Sequence, residues 1–242
     1  QPYLNYIFMK ANFHRTNYFL ILSLGAMLIG FAPIFVKWSL LSSSAIAFYR
    51  MSLTIPFLFG LNYLLNGRLK FRVKNKRTII YAAFASLAFT TDLTLWHYSM
   101  GITSVSNATI IVNSAPIFVA ILSFIFFKEK LSKGFVVSFL VTYLGIVGLI
   151  YYSNNYINGK ILGDILCMIA AFFYAVYLLV IARLGKENSL NIIFYTTLFC
   201  CLFSIVPMII EGGDTFPSSK FEWINLLLLA VLCQLGGQYL IT

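Results

Sequence analysis

Residues 104–127 read Ser-Val-Ser-Asn-Ala-Thr-Ile-Ile-Val-Asn-Ser-Ala-Pro-Ile-Phe-Val-Ala-Ile-Leu-Ser-Phe-Ile-Phe-Phe, without one charge, and Lys128-Glu129-Lys130 follows at once. A helix of about 20 residues crosses a hydrocarbon core of roughly 30 Å, so this stretch is long enough to span a bilayer. Working outward, seven more runs of the same kind fill the chain: 18–37, 44–66, 79–100, 134–152, 161–182, 191–210 and 221–241. In lipid each backbone amide must find its partner within the segment or in a closed barrel. The runs lack the alternation of strands and are about twice too long for them. The chain is therefore expected to be all-α, a polytopic membrane bundle of about eight helices.

Composition agrees: 60% of residues are hydrophobic, 10% are charged, and the mean hydropathy is +0.89. Soluble domains carry about 25% charged residues. The net charge of +10 sits in alternate joints rather than on one patch. Gly67–Thr78 holds Arg68, Lys70, Arg72, Lys74, Lys76 and Arg77; Lys128, Lys130 and Lys133 lie two joints on, then Arg183 and Lys186. Lys10 and Arg15 precede the first run, whereas the intervening joints hold Lys160, Lys220, Glu211 and Asp214. This alternation is the positive-inside pattern and argues against a nucleic-acid partner. It places the N-terminus in the cytoplasm of an integral inner-membrane protein, with membrane lipid as its surroundings. The four cysteines lie inside apolar runs without CxxC spacing, and only His14 and His97 are histidines, so no metal or other cofactor is expected. No cleavable signal sequence is evident. Oligomeric state is not legible.

Two stretches look like copies of one plan. Gly25-Ala-Met-Leu-Ile-Gly-Phe-Ala in the first run parallels Gly163-Asp-Ile-Leu-Cys-Met-Ile-Ala-Ala in the sixth. Phe48-Tyr49 and Pro56 in the second parallel Phe194-Tyr195 and Pro207 in the seventh. A five-span unit reverses its orientation when repeated, which is the plan of secondary transporters. The expected domains are a first five-helix repeat over 18–152 and a second over 161–242. At this offset a complete second copy would end near residue ~290, so ten helices are expected, with the second copy cut short after its third.

The stretch Thr103–Lys133, with its small-residue start, Pro116 and the corner Lys128-Glu129-Lys130-Leu131-Ser132, resembles the EamA-like transporters of the drug/metabolite transporter superfamily. Phe48-Tyr49-Arg50, Gly145-Ile-Val-Gly148 and Gly163-Asp164 are similar to further elements of that family, and the likeness runs from about 18 to 242. The resemblance implies two inverted five-helix repeats and carriage of a small metabolite or drug across the inner membrane. It leaves the substrate open.

Ionisable groups well inside the runs are Arg50 and Asp92, joined by His97 near an end. A charge at mid-bilayer costs about 2.5–3.5 kcal/mol on insertion scales and usually faces a partner or a cavity. Asp92 is expected to recognise a cationic group or a coupling proton, with Arg50 attracting an anion; the alternative is an ion pair joining spans 2 and 3. Trp96 lies one turn from Asp92 on the same face. His97 lies about 140° around from Asp92; its ordinary pKa suits proton coupling, but Trp96, His97 and Tyr98 also read as an interfacial aromatic belt. Asn113 stands near Pro116, which lacks the amide that the Val112 carbonyl needs, so a kinked cavity wall is expected there. Asn113 reads equally as glue between helices. Tyr174 falls where span 6 would face span 3. Small residues such as Ala26/Gly30 read as packing, and Gly236-Gly237 as a flexible or broken point.

These residues favour a secondary carrier of an amino-acid-like or other small organic solute, working by alternating access and not an enzyme. An integral membrane enzyme of lipid or acyl transfer, or a non-transporting receptor or scaffold, remains open here.

Overall fold

The computed structural model describes residues 20–67, 69, 71, 73, 75–128, 133–152, 160–184 and 187–241. The basic residues Lys10, Arg15, Arg68, Lys70, Arg72, Lys74, Lys130 and Lys186 lie outside them, as do His14 and Glu129. Among the described residues all regular structure is helical, in eight rods: α1 Leu20–Trp38, α2 Ser43–Asn66, α3 Lys76–Ile102, α4 Val105–Phe127, α5 Lys133–Tyr152, α6 Lys160–Arg183, α7 Ser189–Glu211 and α8 Lys220–Leu240. Seven of these are long and apolar enough to cross a membrane. The eighth, α5, has 20 residues, but its described apolar part runs only over Gly134–Gly145.

Each rod starts and stops where its local chemistry dictates. Asn75 opens α3 by accepting from the Arg77 amide at 3.0 Å, and Ser104 opens α4 by accepting from Asn107 at 3.0 Å. Gly67 closes α2 in the left-handed region (φ 65°) and donates its amide to the Tyr63 carbonyl at 2.8 Å. Large apolar side chains such as Leu64, Phe126 and Ile209 face outward, the opposite of a water-soluble fold.

Packing runs through α3. It lies against α6 along much of its length and also touches α2 and α7, while α4 covers α6 and the outlying α5 leans on α4. On the other side α8 packs against α1, α2 and α7. These neighbours show a regularity. Exchanging α1 with α6, α2 with α7 and α3 with α8 turns α3·α6 into α8·α1, α3·α7 into α8·α2, and α2·α3 into α7·α8, and every one of those pairs is in contact. The α2·α7 pair maps onto itself.

Four rods are not straight. Proline removes a helical amide at residues 33, 56 and 116, and the helices break just before each: at Phe31 in α1, Leu53 in α2 and Asn113–Ser114 in α4. The kink expected near Pro116 is present. In α8 the helix widens into a π-helix over Leu229–Gly237, ending on the Gly236-Gly237 pair that the sequence marks as a weak point.

Candidate functional site: a cavity among the broken spans

The breaks in α1 and α4 border a cavity of about 250 Å³. Its wall takes Ala26, Ile29, Gly30 and Pro33 from α1, Arg50 from α2, and Phe89, Asp92, Leu93 and Trp96 from α3. Thr109, Val112 and Asn113 come from α4, Tyr174 from α6 and Gln238 from α8. Of the six residues singled out from the sequence, Arg50, Asp92, Trp96, Asn113 and Tyr174 meet here, although they lie on four different helices. His97 is not part of the lining. It points instead at the start of α2, where its Nδ1 lies 3.2 Å from the Ser43 carbonyl oxygen.

Arg50 is almost fully buried, and its Nε donates to Gln234 Oε1 of α8 at 2.9 Å. Its Nη1 has no hydrogen-bond partner, and neither has Asp92 Oδ1, so these two atoms do not bond each other. Both side chains nonetheless line the same cavity. Trp96 Nε1 is likewise buried without a partner. Buried polar atoms are nearly always satisfied, and these three orphans on cavity-lining residues leave hydrogen-bonding capacity for a polar occupant.

Aromatic rings form one wall. Phe89 stacks on Tyr177 with centroids 4.5 Å apart, and Tyr174 stacks on Tyr177 at 5.9 Å. Tyr177 OH accepts from Gln238 Nε2 at 2.7 Å, which ties α6 to α8 beside the cavity that Gln238 lines. Of residues 96–98, which also read as an interfacial belt, Tyr98 is about half exposed, whereas Trp96 and His97 are buried in protein. Asn113 turns its amide back on its own helix, donating from Nδ2 to the Thr109 carbonyl at 2.7 Å.

Gln234 and Gln238 are functional candidates that the sequence reading passed over. Their signal was available: two amides one turn apart inside an apolar run, the only glutamines besides Gln1. Among the described residues no group of three His, Cys, Asp or Glu is placed to hold a metal ion.

The end of the bundle away from the basic joints is tied by carboxylates. Glu222, at the start of α8, accepts from Ser39 Oγ at 3.0 Å and from the Leu40 amide at 2.9 Å. Glu211, at the end of α7, accepts from the Ser43 and Ser44 amides at 3.0 and 2.8 Å, and the Ser42 amide donates to the Asp214 carbonyl at 2.9 Å. The joint between α1 and α2 is thus clamped from both sides. At the other end Thr78 Oγ1 of α3 donates to Glu187 Oε1 in the α6–α7 joint at 3.3 Å. That is the same kind of tie with the exchanged helices as partners.

Comparison with known proteins agrees with this architecture. A solved crystal structure superposes on 94% of this chain and 79% of its own with a TM-score of 0.71 at 12% identity, which speaks for the fold alone. An uncharacterized transporter in the sor 3′ region of Acidianus ambivalens is 26% identical over 137 residues, 56% of this chain and 53% of its own. Solute carrier family 35 member G1 of Mus musculus is 26% identical over 159 residues, 61% of this chain and 43% of its own. The chain spans about half the length of these curated relatives. The sequence model of the EamA-like transporter family matches residues 16–151, more than half of the chain. With that match and a bundle of membrane-spanning length, the chain belongs to the EamA-like transporter family.

Proposed function

We propose that the chain carries a small zwitterionic, amino-acid-like solute across the inner membrane, with the cavity as its central site. The observation that carries this reading is the pair of orphans, Arg50 Nη1 and Asp92 Oδ1, on the wall of a single cavity. A guanidinium presents donors to a carboxylate, and a carboxylate presents acceptors to an ammonium. The volume of about 250 Å³ lies below the range of roughly 300–1,000 Å³ found for drug-sized ligands, which favours a small metabolite. The aromatic wall of Phe89, Trp96 and Tyr174 supplies apolar contact for a side chain.

The mode of action is alternating access between two inverted repeats, 18–152 and 161–242. Support comes from the helix contacts that survive exchange of α1–α3 with α6–α8, and from the Glu222 and Glu187 ties at opposite ends. Breaking one set of ties while the other holds would open the cavity to one side at a time. The alternation of basic joints favours an orientation with the N-terminus and the 67–78 joint in the cytoplasm. The same features favour transport over catalysis as the work of the site.

Counterflow in proteoliposomes tests this reading. Vesicles loaded with one unlabelled amino acid at a time are expected to accumulate its labelled form transiently, and only when they contain the protein. If no zwitterion in the panel exchanges, the substrate reading is wrong; chemical conversion of the label would turn the site into that of an enzyme.

A further inference from the structure

The hydrogen bonds around the breaks in α1 and α4 single out two backbone carbonyls. In α4 the Thr109 carbonyl accepts from the Asn113 amide at 3.0 Å and from Asn113 Nδ2 at 2.7 Å. The Ile111 carbonyl accepts from the Ser114 amide at 3.0 Å and from Ser114 Oγ at 2.6 Å. The Ile117 amide goes to Ser114. The Val112 carbonyl is left opposite Pro116, which has no amide to give. In α1 the Phe31 amide goes to Leu28 at 3.3 Å, and the Ile34 and Phe35 amides go to Phe31. The Ile29 carbonyl is left opposite Pro33 in the same way. Ile29 and Val112 both line the cavity, and so do Pro33 and the 4% exposed Asp92, whose Oδ1 has no partner.

A carbonyl robbed of its helical donor is costly in a membrane interior and is tolerated where it lines a polar cavity. Three residues from three spans, Ile29, Val112 and Asp92, line this one cavity, and each brings an acceptor for which the helix or a side chain supplies no donor. The orphan donors on that wall are Arg50 Nη1 and Trp96 Nε1. We propose that the solute's cationic end is bound as a primary ammonium, its three N–H groups going to Asp92 and to the Ile29 and Val112 carbonyls. The site thereby selects against N-methylated analogues. This rests on the zwitterion reading above and adds the rule by which the site chooses among zwitterions. Three acceptors around one charge match the three donors of –NH3+, whereas a trimethylammonium group offers none and leaves both carbonyls unpaired.

The test uses purified protein in which Trp38→Phe and Trp223→Phe leave Trp96 as the single fluorescent reporter beside the site. It is titrated with a panel of six small amino acids and with their N-trimethylated forms. The expected result is tighter binding of the primary-ammonium form by at least about tenfold, the usual scale for one lost hydrogen bond to a charge. Pro33→Ala and Pro116→Ala each return an amide to the orphan carbonyl. Each is expected to cut the preference by about tenfold, the loss falling on the primary-ammonium form. Equal affinity for the two forms in the starting protein would overturn the proposal. So would a preference that survives both proline variants, or a parallel loss for both forms, which would mean a distorted cavity only. Binding of neither form anywhere in the panel would remove the zwitterion reading, and the proposal with it.

Discussion

Arg50 depends on one neighbour for its geometry. Gln234 accepts from its Nε inside the protein, and hydrogen bonds to buried charges are worth about 1.5–3 kcal/mol. Gln234→Leu is therefore expected to lower the thermal unfolding midpoint in detergent and to raise the apparent KM for exchange. Gln234→Glu, which keeps an acceptor, should restore much of the stability; equal loss in both variants would show that the amide's size matters rather than its bond. Arg50 and Asp92 were legible from the sequence because a charge inside an apolar run needs a reason. Gln234 and Gln238 were missed because a neutral amide raises no such alarm, although two of them one turn apart carry the same message. The placement of His97 followed from helical geometry, since a step of five residues turns it away from Asp92 and onto the start of α2.

At the scale of elements, the contact of α8 with α1 depends on the absence of a side chain. A Cβ at Gly237 would lie 2.5 Å from Ile29 Cγ1 and 3.1 Å from the Gly25 carbonyl oxygen, and backbone cannot step aside. Gly237→Ala should destabilise the protein by about 1–3 kcal/mol, read as a lower unfolding midpoint, whereas Gly30→Ala, with nothing within 4 Å, should not. An unchanged Gly237→Ala protein would deny the close approach. The clamp at the end away from the basic joints gives a second outcome. Glu211→Ala combined with Glu222→Ala removes four hydrogen bonds to residues 39–44. A cysteine placed at Ser43 should then react faster with a membrane-impermeant thiol reagent applied at that end. Unchanged labelling would mean that the joint is held by something else. The existence and order of the helices, and the break near Pro116, were readable because apolar length and proline chemistry act locally. The carboxylate clamp was not, because it depends on residues brought together from distant parts of the chain, and the Gly236-Gly237 pair marked a weak point in α8 without showing the π-helix that ends on it.

For the whole molecule, the sequence pointed to a polytopic bundle and to the family, since both rest on the pattern of spans and joints. The cavity was legible only as a set of suspects, because helical faces do not say which helices will meet. What joined them is the packing of α3 against α6 and of α8 against α1 and α2, which brings Asp92, Tyr174 and Arg50 to one wall. The account's central claim is that this wall binds the transported solute. It is tested most directly by amino-acid counterflow in proteoliposomes holding Asp92→Asn, with correct folding checked by its unfolding midpoint. Asparagine keeps the shape but removes the charge, so the account predicts a fall in exchange of at least about tenfold. Exchange at the rate of the unaltered protein, with unchanged selectivity, would contradict it.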